Sequence, residues 1–199
     1  HISMVLKVTC DNMNDTLEQE VILTAENGVE IGGMITKDLT LYPNVHYIVT
    51  RTMVIPKGIQ LTIKPGSIIR FKGGTSLKCE GSIVAKGTSD SLIVFTMADL
   101  ENRKIFFMDF GAQSNVFEYT KFFNIHFYGY QGAFKGGEFR NCILCHNYMT
   151  GCTQTSMKFT TFMHNDGVWL SGPSSYGELE YTNIINNRAL FEQLTQVMH

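Results

Sequence analysis

Four segments in the second half of the chain align without gaps: Glu118 to Ile125, Arg140 to Asn147, Lys158 to Asn165 and Glu180 to Asn187. Their starts lie 22, 18 and 22 residues apart. A period of roughly 20 residues with strand-like content matches one coil of a β-solenoid, and is too short for helical repeats of ~33 to 47 residues. The columns carry the physical content. Phe117, Phe139, Met157 and Leu179 form one apolar column, and Phe122, Leu144, Phe162 and Ile184 a second. Thr120, Cys142, Thr160 and Thr182 line up as small residues where a coil bends.

Side chains alternate across a strand, so residues 117 and 119 are expected to point inward and 118 outward. The outward column reads Glu118, Arg140, Lys158, Glu180. Coils sit ~4.8 Å apart, which makes Glu118–Arg140 and Lys158–Glu180 favourable neighbours and Arg140–Lys158 an unfavourable one. The last column holds Ile125, Asn147, Asn165 and Asn187. Stacked asparagines can pass amide hydrogen bonds from coil to coil, and Asn also tolerates the left-handed backbone of a tight corner.

Composition agrees. The 199 residues include 18 Gly, only 4 Pro and 14 Phe, with 44% hydrophobic and 17% charged residues. That suits many short strands joined by glycine turns. In the first half, Leu61-Thr62-Ile63, Leu77-Lys78-Cys79, Ile83-Val84-Ala85 and Ile93-Val94-Phe95 alternate between turns at Pro65-Gly66, Gly73-Gly74, Gly81 and Gly87. Only Arg188 to Val197 offers an amphipathic helical pattern, which would either cap the stack or fray. The expected fold is all-β: a right-handed, single-stranded parallel β-helix of about seven coils. Residues 45–190 form the helix, 5–44 are strands or a cap leading into it, and 191–199 are a tail or cap. His1-Ile2-Ser3-Met4 reads as a tag remnant.

Residues in the first half also match a known family. Val54-Ile55-Pro56-Lys57-Gly58, Leu61-Thr62-Ile63-Lys64-Pro65-Gly66 with Ile69-Arg70-Phe71, and Gly81-Ser82-Ile83-Val84-Ala85-Lys86-Gly87-Thr88 before Ile93-Val94-Phe95-Thr96 form a series. It resembles the β-helix modules of extracellular and cell-surface proteins in the pectin-lyase-like superfamily. The resemblance covers roughly residues 45–125. One departure is Lys104-Ile105-Phe106-Phe107, where such modules often carry Trp. The resemblance implies an extracellular or surface location; it does not imply an activity, because fold does not specify function.

Net charge is −2 with no basic block, which excludes a nucleic-acid footprint. No run approaches the ~18 apolar residues of a membrane span, so no direct membrane insertion is expected. Five cysteines have no framework spacing, and Cys142-Ile143-Leu144-Cys145 lacks the second pair that a zinc site needs, so packing is the expected role. Asp109, Glu118, Glu138, Asp166, Glu178 and Glu180 spread one or two per coil rather than clustering as calcium ligands do. Glu118 and Glu138 could approach within the ~5–9.5 Å that glycoside hydrolysis uses, as could many solvated charges.

Two features stand out. The column Asn124, His146, His164, Asn186 puts two imidazoles on adjacent coils, with Asp166 close by and a polar corner as the plain alternative. Phe127, Tyr128 and Tyr130 lie in an irregular stretch up to Phe134, read as an excursion loop whose rings stack on a ligand or fold back over the core. Candidate ligand-binding residues are therefore Phe127, Tyr128, Tyr130, His146, His164 and Asp166, with no catalytic residue, metal or cofactor expected. The function expected is a non-catalytic extracellular scaffold, part of a larger protein, that recognises a polysaccharide or a surface protein. The alternative is a carbohydrate-active enzyme, lyase or hydrolase, working from the outer face.

Overall fold

The structure, a computed structural model, describes residues 28–98, 115–125, 137–148, 155–166 and 180–188 with their side chains. It also gives the strand backbones Ile2–Thr9, Thr16–Leu23, Phe107–Phe110, Phe134–Lys135, Thr150–Thr153, Val168–Ser171, Leu179–Glu180 and Leu190–Gln193. Apart from the antiparallel hairpin of Ile2–Thr9 with Thr16–Leu23, every strand pairs in parallel with its equivalents on neighbouring coils. The chain is a parallel β-solenoid with three walls.

The first wall stacks the leading halves of Val29–Met34 and His46–Ile55, then Ile68–Phe71, Ile93–Met97, Thr120–Phe123, Ile143–Cys145, Thr161–Met163 and Asn183–Ile185. The second wall begins with the trailing halves of the first two strands and adds Ser76–Cys79 and Phe107–Phe110. A separate four-stranded ladder, Phe134–Lys135 to Leu190–Gln193, occupies the corresponding place in later coils. Leu39–Leu41, Gln60–Ile63, Ser82–Lys86, Val116–Glu118, Glu138–Arg140, Ser156–Lys158 and Leu179–Glu180 make the third wall.

The aligned segments pair in the expected register: Glu118 faces Arg140, Arg140 faces Lys158, and Lys158 faces Glu180. On the first wall Phe122, Leu144, Phe162 and Ile184 are successive partners. Counted between equivalent strands of the third wall, the chain makes five turns from Gln60–Ile63 to Leu179–Glu180. With partial turns at the ends, this is slightly fewer than the expected seven. The ladders already include Val29–Met34 and Leu39–Leu41. At the other end the helix expected over 188–197 is replaced at Leu190–Gln193 by a strand that pairs in parallel with Val168–Ser171. The propensity for helix there yields to ladder hydrogen bonds that a helix could not make.

Alternation builds the core. In Ile68–Phe71 and Ser76–Cys79 every second side chain is buried, and the same holds along His46–Ile55 apart from its corner. Interior rings then stack along the axis: Phe95 lies on Phe122 at 5.0 Å, Phe117 on Phe139 at 4.9 Å, and Phe117 meets Phe122 edge-on at 5.4 Å. Each such pair contributes about 0.5–1.5 kcal/mol beyond its buried area.

The corners differ between the two halves. In the first, the amides of Ile59, Ser67 and Thr75 donate to the carbonyls of Pro56, Lys64 and Lys72, three residues back. Gly58, Gly66 and Gly74 take φ of 84°, 79° and 77°. These are type II turns, which need glycine at the third position. In the second half, single left-handed residues that are not glycine turn the chain on both sides of the first wall: Tyr119, Asn141, Phe159 and Tyr181 before it, Asn124, His146, His164 and Asn186 after it.

Candidate functional site

The two left-handed columns frame the outer face of the first wall. Residue 119 was expected inside, but it takes φ 46°, and its equivalents Phe159 and Tyr181 are 54% and 61% exposed. A left-handed residue interrupts the alternation: Phe117 points inward and Glu118 outward, but inward pointing resumes at Thr120, which is buried, rather than at 119. The small column is where expected, with Thr120, Cys142 and Thr160 all buried.

The second column brings the two histidines together. The His146 and His164 rings stack at 5.3 Å with 20° between planes, and Phe123 meets His146 edge-on at 5.6 Å. Lys121 Nζ sits 5.1 Å over the Phe123 ring. Asp166 is not aimed at the histidine pair; its carboxylate accepts from Arg188 Nη1 at 3.3 Å. Among the described residues no group of three or more His, Cys, Asp or Glu side chains converges as metal ligands would. Phe127, Tyr128 and Tyr130 lie outside the described residues.

Directly after these corners runs the asparagine ladder, which holds the corners in place. Asn147 Oδ1 accepts from the Ile125 amide, Asn165 Oδ1 from the Asn147 amide, and Asn187 Oδ1 from the Asn165 amide, each at 2.9 Å. Their Nδ2 groups donate to the carbonyls of Phe122, Leu144 and Phe162. The bonds are therefore mostly side chain to backbone; one side-chain pair, Asn165 Nδ2 to Asn187 Oδ1 at 2.9 Å, links the amides themselves. The left-handed residue is the one before each ladder asparagine, not the asparagine itself. The ladder keeps the expected stacking, and the corner's conformational demand falls on His146 and His164 instead.

The cysteines pack. Cys142 is buried and donates to the carbonyls of Phe117 and Arg140, both at 3.3 Å; burial pushes its thiol up to about 12. Burial also raises the pKa of Cys145. Cys79, Cys142 and Cys145 are free thiols.

On the third wall Lys158 pairs with Glu180 as expected. Arg140 instead reaches Glu138, two residues back on its own strand, at 3.1 Å. Away from these corners, Asp38, Lys57, Gln60 and Glu80 edge an open groove of about 440 Å³ where the second wall turns into the third.

Sequence reasoning missed one exposed feature: Phe159 and Tyr181 stack at 5.1 Å with 3° between planes. The signal was the asparagine in their column. An apolar inward column would not admit Asn141, whereas a left-handed corner favours it.

By fold, then, the chain is a parallel β-solenoid whose exposed corners repeat side chains in register. Comparison with models of protein families, with curated proteins and with solved structures finds no match.

Proposed function

We propose that the chain is a non-catalytic recognition scaffold, acting outside the cell or at its surface as part of a larger protein. We place it among the right-handed β-helix modules of the pectin-lyase-like superfamily, on the motif series of residues 54–96. The observation that supports recognition is the matching of exposed groups rung by rung: His146 on His164, Phe159 on Tyr181, Lys158 with Glu180, Asp166 with Arg188. Each coil's backbone is fixed by its neighbours, so such a flank holds contact groups at constant spacing. It can meet an extended polysaccharide or a surface protein without any group being tuned for proton transfer.

The second reading, a carbohydrate-active enzyme, draws on one observation. Glu118 and Glu138 stand on adjacent third-wall strands, two positions apart in register. Glu138 is held by Arg140, which suits a structural carboxylate better than an acid or base awaiting substrate. Incubation with uronic-acid and neutral polysaccharides, with a glycan array alongside, tests the choice. Retention of a glycan with no product supports the scaffold. Product release that Glu138→Gln or His164→Ala abolishes would establish the enzyme.

A further inference from the structure

The corner column Tyr119, Asn141, Phe159, Tyr181 combines two properties that each count against an aromatic residue. All four positions take left-handed φ, at 46°, 53°, 52° and 49°. Asparagine accepts that conformation; bulky aromatic side chains rarely do. The Phe159 and Tyr181 rings are also more than half exposed, so they add little to the core. Their mutual stack offsets part of this, but asparagine would serve the corner better, as it does at residue 141. Strain retained at an exposed position is a mark of functional sites.

The geometry shows what such a site could hold. Tyr181 covers one face of Phe159. Among the described residues no second ring meets Phe159, and its neighbour in the column on the other side is the shorter Asn141. Beyond Asn141 the next aromatic in the column is Tyr119. Two coil spacings, about 9.6 Å, separate the corner positions of Tyr119 and Phe159, enough for one ring between them. At the base, the Asn141 side-chain amide makes no hydrogen bond among the described residues and offers two donors and an acceptor. On the rim, Arg140 is bound to Glu138 and Lys158 to Glu180, so both cations already have carboxylate partners.

We infer that this corner binds a neutral pyranose ring, stacked on the free face of Phe159 over Asn141 and bounded by Tyr119. The inference rests on the recognition reading above and names its ligand class. A pyranose presents C–H groups on its flat face, which pack on an aromatic π-face. Its rim of hydroxyls suits the Asn141 amide and the ion pairs beside it. A carboxylated sugar would meet Glu118, Glu138 and Glu180; of the cations beside them, Arg140 and Lys158 already hold carboxylate partners and Lys86 stands in register with Glu118.

The test uses the full chain, with calorimetric titration and saturation-transfer NMR. The probes are cellohexaose, mannohexaose and a galacturonate hexamer. Saturable binding is expected for at least one neutral probe, with magnetisation passing from aromatic protons to the sugar. Phe159→Asn should weaken that binding at least 10-fold without lowering the melting temperature, because asparagine relieves the left-handed strain. Asn141→Ala should weaken it less. Failure of both neutral probes to bind overturns the inference, and binding of the galacturonate hexamer alone does so while leaving the scaffold reading in place. Neutral binding unchanged in Phe159→Asn also overturns it, as does a clear fall in that variant's melting temperature. Cleavage of the bound oligosaccharide would overturn the non-catalytic reading, whatever site binds it.

Discussion

Asn165 sits in the middle of its ladder, buried, accepting from one coil and donating to another. Replacing it with alanine leaves the Asn147 amide without a partner inside the protein and takes the side-chain donor from the Leu144 carbonyl, which keeps its place in the strand ladder. Each orphaned buried group costs about 1–3 kcal/mol, so urea denaturation of Asn165→Ala should show at least that loss. Asn187→Ala, nearer the open end, should cost less, since Asn187 is only partly buried. Equal effects at both positions would mean that the ladder is not a buried, directional network. Cys142 gives a second prediction at this scale. Its folded-state pKa, about 12, lies above the ordinary 9.0. Below pH 9 both states hold the proton and stability is unaffected. Between pH 9 and 12 the unfolded thiol ionises and the folded one does not, so stability falls across that window. Cys142→Ala should flatten this part of the stability–pH curve, read from denaturation midpoints at each pH. The ladder was legible in the sequence because three asparagines recur in one column. Which residue bends the chain was not: the alignment cannot distinguish a left-handed residue from its neighbour when both columns carry asparagine.

At the scale of strands and turns, alternation identified the walls wherever a strand kept its period of two. It failed at Tyr119, where one left-handed residue shifts the phase. It also gave no hint of Leu190–Gln193, whose residues suit helix but whose backbone completes a ladder. The histidine stack was legible, since register alone places His146 beside His164. The partner of Asp166 follows from the same register but went unread, because Arg188, one 22-residue repeat on, falls in the column just past the aligned segments. Turn chemistry yields a prediction here. A Cβ on Gly81 would lie 2.2 Å from the Ile59 carbonyl oxygen and 2.4 Å from that of Pro56. Backbone atoms cannot yield as a side-chain tip can, so Gly81→Ala should destabilise by at least about 2 kcal/mol. Gly74→Ala, which meets open space and only its φ of 77°, should cost less. Thermal unfolding of the two variants compares them directly.

For the whole molecule, a solenoid's stability is close to a sum over coils and the interfaces between them. The ends are therefore weakest. Ile184 belongs to the interior column of Phe122, Leu144 and Phe162, yet is 38% exposed because it lies in the last first-wall strand. Native-state hydrogen exchange should show slow amides in Ile68–Phe71, Ile93–Met97 and Thr120–Phe123, and faster ones in Asn183–Ile185. Uniform protection along the axis would argue that this end is covered in solution. The exposed corners depend on one claim above all, that equivalent residues stack coil upon coil along the third wall. Lys86, Glu118, Arg140, Lys158 and Glu180 are successive partners, four coil spacings from first to last. Spin labels carried on p-acetylphenylalanine at positions 86 and 180 leave the native cysteines intact, and their separation is measured by double electron–electron resonance. The stacked register predicts one narrow distribution near 19 Å, allowing for the linkers. A distribution centred beyond about 30 Å, or split into two, would contradict it.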